Sequence, residues 1–247
     1  MTPTDPGERH GPRQRLVPLV GIGASAGGLE AMSLLFEALT PDLGLAYLIV
    51  SHMDPRHESH LAEVLARRTT VPMRVGQEQV IEPDHAYVIP PDTVMTVVGN
   101  RIKLTPRSHT GARHLPVDAL FVSLAQQRPG KAIGIVLSGT GSDGTEGVKE
   151  IKAAAGVTLA QEPTTAAFEG MPQSAIQTGC IDRVLSPQDM AAELVKIVQH
   201  PYFGDDEEGK ALTSDGPETA LEKIFELLNN VYQADFTQYK PNTLQRR

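Results

Sequence analysis

Short apolar runs of strand length alternate with stretches of helical periodicity along most of this chain. Residues 16–22 and 45–50 are apolar, rich in branched side chains, and too short for a core helix. Residues 132–137, Ala-Ile-Gly-Ile-Val-Leu, have the continuous apolar character of a strand covered on both faces. Weaker strand signals follow at 157–160 and 181–185. Helical spacing marks residues 27–39, and also 58–68, where Leu61, Val64 and Leu65 form the inward stripe. It marks 116–127 as well, with Val117, Leu120, Phe121 and Leu124 on one face. A helix over 145–155 has Gly156 as its stop, and a short one over 171–178 takes Pro172 in its first turn. A last helix opens at Ser186 as N-cap, with Pro187 at its first position, and runs to about residue 198. This alternation predicts an α/β fold: a doubly wound, mostly parallel sheet with helices on both faces.

Residues 71–103 break the rhythm. Runs at 86–89 and 94–98 are punctuated by Pro and Gly, and Gly99-Asn100 joins the second to residues 101–104 as a two-residue hairpin. The whole stretch predicts an antiparallel hairpin excursion between α/β units. Residues 107–114 are polar and basic, as in an exposed loop. The α/β pattern thus occupies 16–200, behind a polar, proline-bearing leader (1–15) expected to be disordered. Residues 201–217 read as an acidic linker containing Asp205-Asp206-Glu207-Glu208. Beyond it, Leu221, Ile224, Phe225, Leu228 and Val231 give an amphipathic helix that needs a partner surface.

Composition narrows the function. With 247 residues and 40% hydrophobic content, the chain can bury a large core. A net charge of −8, no Trp and few aromatics argue against a nucleic-acid surface. No apolar run suits a membrane span or a secretion signal. The single cysteine, Cys180, forbids an internal disulfide and is expected to be a small buried side chain. These features predict a cytoplasmic protein.

The candidate chemistry begins where the first strand turns into the first helix. Gly23-Ala24-Ser25-Ala26-Gly27 fits G-x-S-x-G, a strand–turn–helix that presents a nucleophilic serine, with glycines at 21, 23, 27 and 28 relieving the turn. The same residues loosely fit a dinucleotide fingerprint, but the second strand ends in Ser51-His52 where an acidic ribose ligand is wanted. His52, Asp54, His57 and His60 are dense in metal-ligand types, yet no cysteine joins them and their spacing does not define a site. No metal is expected. Open α/β sheets carry their sites at the carboxyl ends of strands. Ser25, His52 and Asp143 each follow a predicted strand, so the set a nucleophilic acyl transfer requires gathers at one edge. A turn-forming aspartate and an exposed histidine are the structural alternatives for the last two.

These motifs are familiar together. Gly-Ala-Ser-Ala-Gly-Gly at 23–28, Ser-His-Met at 51–53 and Leu-Ser-Gly-Thr-Gly-Ser-Asp-Gly at 137–144 resemble the catalytic domain of the chemotaxis receptor methylesterases (CheB-type). Tyr87-Val88-Ile89-Pro90-Pro91, Val117-Asp118-Ala119-Leu120-Phe121, and Ala160-Gln161 leading to Gly170-Met171-Pro172 extend the likeness collinearly over about 16–200. The resemblance implies a serine hydrolase without metal or organic cofactor. It would demethylate glutamate γ-methyl esters on the cytoplasmic helices of chemoreceptors and deamidate selected receptor glutamines. It carries the nucleophile onto Ser25, the general base onto His52 and the orienting carboxylate onto Asp143. Ala26 and Thr140, where better-studied members have Thr and Met, fall near the expected oxyanion site, where backbone N–H groups do the work. Arg56, Arg107 and Arg113 lie on loops near this edge, as receptor contacts or as solvated charge. Residues 218–247 resemble the start of the helical N-terminal domain of a CheR-type methyltransferase, implying a methylesterase–methyltransferase fusion. The leader cannot hold a phosphorylatable receiver domain, so control by phosphorylation in cis is not expected. The rival to an enzyme is a catalytically silent methylesterase-like docking or sensory module.

Overall fold

The central strand β1 (Leu19–Ala24) is buried along its whole length and pairs in parallel with a neighbour on each side. It feeds α1 (Gly28–Ala38), which leads to β2 (Ala46–Ser51) and then α2 (Leu61–Ala66). Two short strands, β3 (Met73–Val75) and β4 (Ala86–Val88), precede a hairpin of β5 (Thr93–Val98) and β6 (Arg101–Pro106). The α/β units resume with α3 (Pro116–Gln127), β7 (Ala132–Val136), α4 (Thr145–Ala153) and β8 (Val157–Gln161). Three elements close the fold: α5 (Gly170–Gln177), β9 (Arg183–Leu185) and α6 (Pro187–Gln199). The computed structural model describes residues 16–51, 60–107, 115–200 and 203, all within a unit that ends at Gly204. The leader, residues 201–217 apart from Phe203, residues 218–247, His52, Asp54, Arg56, His57 and Arg113 lie outside the described residues.

Seven strands form one parallel sheet in the order β3-β4-β2-β1-β7-β8-β9. The chain builds outward from β1 on one side, then returns to β1's other side at β7. The period of two sends alternate side chains of β1 to opposite faces. Val20, Ile22 and Ala24 join Met32, Leu35 and Phe36 of α1 and Met190 and Leu194 of α6 in one core. Leu19 faces the other core, with Val117, Phe121 and Leu124 of α3, Val148 and Ile151 of α4, and Met171 of α5. The sheet is therefore doubly wound. Helices α1 and α4, which leave β1 and β7, depart to opposite faces and open a crevice between those two strand ends. Among the described residues, no helix is long and apolar enough to cross a membrane.

The middle of the chain contains the expected antiparallel hairpin, but the strands before it differ from the sequence expectation. Among the described strands only β5 and β6 pair antiparallel, from Thr93↔Pro106 to Val98↔Arg101 around the Gly99-Asn100 turn, with an isolated antiparallel bridge between Val80 and Arg101 beside them. β3 and β4 belong to the main sheet, β4 parallel to both β2 and β3. The hairpin packs through Met95, Val97 and Ile102 onto the α3 face. Buried Arg128 fastens its turn, donating from Nε to the Val17 carbonyl (2.8 Å), from Nη1 to the Gly99 carbonyl (3.0 Å) and from Nη2 to Asn100 Oδ1 (2.8 Å).

Smaller corrections have local causes. In α2 the inward residues are Ala62 and Leu65, while Val64 is exposed and Leu61 half-buried. After α4 the left-handed residue is Ala155 (φ 59°), not Gly156. Gly156 instead lets the chain pass close to β7, since an added Cβ would lie 2.6 Å from the Ala132 carbonyl oxygen. Cys180 is half-buried rather than buried. The Ser186 cap is as expected, its Oγ accepting from the Asp189 N–H at 3.2 Å.

Glycines 21 and 23 serve packing rather than the turn. Both sit inside β1, and a Cβ on Gly23 would fall 2.3 Å from Val117 Cγ1, one on Gly21 2.6 Å from Leu124 Cδ1. Helix α3 can lie against the central strand only because these methyls are absent. Gly23→Ala is expected to destabilise the fold by about 2–3 kcal/mol through overpacking. For a domain of this size that lowers the melting temperature by roughly 5–10 °C, measurable by calorimetry.

Candidate active site

Ser25 occupies the turn between β1 and α1, half-buried at the mouth of the crevice. The parallel pairing of β1 with β7 continues past both strand ends. The Leu137 N–H donates to the Gly23 carbonyl (2.8 Å), and the Ser25 N–H donates to the Ser138 carbonyl (3.0 Å). The backbone carrying the hydroxyl is thus fixed to the neighbouring strand. The chain then turns through Gly27, whose φ of 73° lies in the left-handed region that favours glycine. Space there is as restrictive as conformation: a Cβ on Gly27 would lie 2.7 Å from Ser138 Oγ and 2.8 Å from Ala167 Cβ.

Two buried polar residues hold the crevice together, and neither was assigned a role from sequence. Gln161, at the end of β8, accepts the Ser138 N–H through Oε1 (2.8 Å) and donates through Nε2 to the Thr165 carbonyl (3.0 Å). Ser138 Oγ donates to the Ala26 carbonyl (2.9 Å) and accepts the Phe168 N–H (3.0 Å). Three loops, those after β1, β7 and β8, therefore meet through one fully buried hydroxyl. Burying these groups is tolerable because each is paired. The signal that could have found them is a polar side chain at the carboxyl end of an otherwise apolar strand.

The loop after β7 passes tightly under the serine. A Cβ on Gly139 would sit 2.9 Å from Ser25 Cβ and 2.2 Å from Met171 Sδ. The Gly139 N–H and carbonyl are both engaged, with the Phe168 carbonyl (3.0 Å) and the Met171 N–H (2.9 Å). By contrast, the amides of Ala26 and Thr140 donate to no acceptor among the described residues.

Asp143 closes the same loop and is 2% exposed. Its carboxylate spans the first turn of α3: Oδ2 accepts the Val117 N–H and Oδ1 the Asp118 N–H, each at 3.0 Å. Helix amino termini leave such donors unpaired and favour negative charge, so the carboxylate is both oriented and satisfied. The structure places Ser25 and Asp143 on loops that leave adjacent strands, and Gly139 brings the Asp143 loop against Ser25. On the other side of β1, Ala24 pairs with Ser51, the last residue of β2. Of the remaining histidine and acid candidates, His60 is exposed and pairs with Glu63 at 3.3 Å, and no metal-binding cluster occurs among the described residues. Arg107 is half-buried, its N–H donating to the Asp92 carbonyl (2.9 Å).

The family model for the CheB methylesterase matches residues 20–194, nearly the whole sheet and all of the site just described. The chain belongs to the CheB methylesterase family. CheB relatives agree across this stretch. A protein-glutamate methylesterase/protein-glutamine glutaminase of Photorhabdus laumondii is 34% identical over 182 residues, 72% of this chain and 52% of that protein. One from Myxococcus xanthus is 33% identical over 207 residues, 78% of this chain and 60% of that protein. An uncharacterised 104.1 kDa protein of Rhodobacter capsulatus is 38% identical over 207 residues, 76% of this chain but 22% of that protein. The chain thus spans a half to three fifths of the two curated CheB methylesterases. The crystal structure of the Thermotoga maritima CheB methylesterase catalytic domain superposes with a TM-score of 0.65 at 24% identity, covering 73% of this chain and 98% of that one. That likeness confirms the doubly wound CheB fold.

Proposed function

We propose that this chain is a serine hydrolase that removes methyl groups from glutamate γ-methyl esters of chemoreceptor helices, and releases ammonia from selected glutamines of the same helices. The observation that carries the reading is how the loops after β1 and β7 meet. A serine sits on a locked β1–α1 turn, against a loop that delivers a buried, doubly hydrogen-bonded aspartate from the adjacent strand. The family relatives named protein-glutamate methylesterase/protein-glutamine glutaminase supply the substrate class.

In this reading His52, which follows Ser51 in the sequence, is the base that serves Ser25 and is oriented by Asp143. Ser25 Oγ attacks the ester carbonyl carbon while His52 takes its proton. Asp143 holds the imidazole tautomer and stabilises the imidazolium. The oxyanion is met by the amides of Ala26 and Thr140, which donate to no other acceptor among the described residues and need no side chain for the task. His52 returns the proton to the departing methoxide, releasing methanol and leaving an acyl-enzyme on Ser25. Water, deprotonated by His52, attacks that ester and regenerates the serine with a free glutamate. With glutamine the leaving group is ammonia. The reading places the protein in the cytoplasm, where those receptor helices lie.

Methanol release from a methylated receptor fragment tests it directly. Steady release with stoichiometric labelling of Ser25 by a serine-directed phosphonate is the expected result. No methanol and no labelling would instead make the chain a silent docking module.

A further inference from the structure

Asp118 is a second buried carboxylate beside the site, 8% exposed, and the reaction as written gives it no part. It lies in the first turn of α3, and its Oδ1 accepts the Gly147 N–H of α4 at 2.7 Å. Asp143, just before α4, accepts from the first turn of α3. The two helices have therefore exchanged caps: each aspartate satisfies amide donors at the start of the other's helix. Neither helix has a side-chain cap of its own, since Leu115 and Gly144 stand at the cap positions. The exchange needs close contact, and Gly147 provides it, because a Cβ there would lie 2.4 Å from Phe121 Cβ. Burial pushes the Asp118 carboxyl above its ordinary range, with the nearby Asp143 and Glu146 charges acting in the same direction. A group held at that cost is there for its hydrogen bond.

We propose that Asp118 is a positioning residue for Asp143: by clamping the start of α4 to the start of α3, it fixes the carboxylate that orients the catalytic base. The catalytic part of this rests on the esterase reading, but the structural part does not. If the clamp fails, the first turn of α4 separates from α3, and Asp143 swings with it away from the Val117 and Asp118 amides. The hydrogen bond to Gly147 does the work, so a side chain that keeps an acceptor oxygen should suffice.

Two measurements on the full chain test this. The first is amide hydrogen exchange, which needs no activity. Asp118→Ala should lower protection at residues 117, 118 and 147 by about 10- to 100-fold, while Asp118→Asn, which retains an oxygen toward Gly147, should lower it by less than about threefold. Unchanged exchange at residues 117 and 118 in Asp118→Ala would overturn the proposal, whatever the chemistry of the site. The second is turnover per Ser25 titrated by phosphonate, which counts only folded enzyme. Asp118→Ala should lose about 10- to 100-fold in kcat with KM within about twofold, and Asp118→Asn should stay near the parent. In an Asp143→Asn background, Asp118→Ala should cost almost nothing further, because both act through one carboxylate. Additive losses, or an Asn variant as poor as the Ala variant, would overturn it. Parallel assays on the parent keep the issues separate: a parent that neither labels nor turns over defeats the esterase reading, while the exchange experiment still decides the clamp. Should Asp118→Ala yield no folded protein, Asp118→Ser, too short to reach Gly147, replaces it under the same expectations.

Discussion

Ser25→Ala is expected to reduce methanol release from a methylated receptor fragment by roughly 10⁴- to 10⁶-fold, to a residue supplied by binding and oxyanion stabilisation alone. KM should barely move, because the hydroxyl forms its bond in the transition state rather than in the ground-state complex. Phosphonate labelling should vanish with it. The fold should not notice. Every hydrogen bond described for Ser25 is made by its backbone, the N–H donating to the Ser138 carbonyl and the carbonyl accepting the Gly28 N–H, and both survive the change. Stability should stay within about 0.5 kcal/mol of the parent. A variant that folds like the parent and still releases methanol at the parent's rate would remove Ser25 from the reaction. This expected separation of activity from stability follows from how the turn is built, since among the described residues the hydrogen bonds that hold Ser25 are made by its backbone.

Elements with strong periodicity were legible because burial and pattern agree. Helix α3 spans Pro116–Gln127, the range its apolar stripe predicts, and β7 differs by one residue at its end. The mostly parallel sheet was legible, but strand direction in the middle of the chain was not. The runs at β3 and β4 carry the same β-branched and apolar residues whether they pair parallel or antiparallel. The Gly99-Asn100 turn correctly announced one hairpin and wrongly coloured its neighbours. Glycine was the other ambiguity: Gly23 and Gly27 look alike in sequence, yet one makes room for Val117 and the other supplies a positive φ. For the candidate site, the motifs put Ser25 and Asp143 after strand ends, and the structure has them on the loops that follow β1 and β7. Ser138, Gln161 and Asp118 were not given roles, because their work is to hold other parts of the backbone, and partners 23 to 112 residues away leave no local trace.

Asp143→Asn should separate the relay duty proposed for this carboxylate from the capping duty that the structure shows. In the proposed relay, Asp143 accepts a proton-bearing nitrogen of the base, and an amide in its place can present the wrong group and favour the wrong tautomer. A fall in kcat of roughly 10³- to 10⁴-fold is expected on that ground. As the borrowed cap of α3, Asp143 accepts two N–H groups with two equivalent oxygens. Asparagine has one oxygen, so its NH₂ must face either the Val117 or the Asp118 amide, donor against donor. One buried N–H is then left unpaired, at a cost of about 1–3 kcal/mol that urea denaturation would show. Asp143→Ala leaves both amides without their acceptor and should be less stable again, yet its turnover per titrated serine should be no better than that of the asparagine variant. If stability fell as described while turnover per titrated site stayed at the parent level, Asp143 would be a helix cap and nothing more. The carboxylate that orients the base would then have to come from elsewhere in the chain.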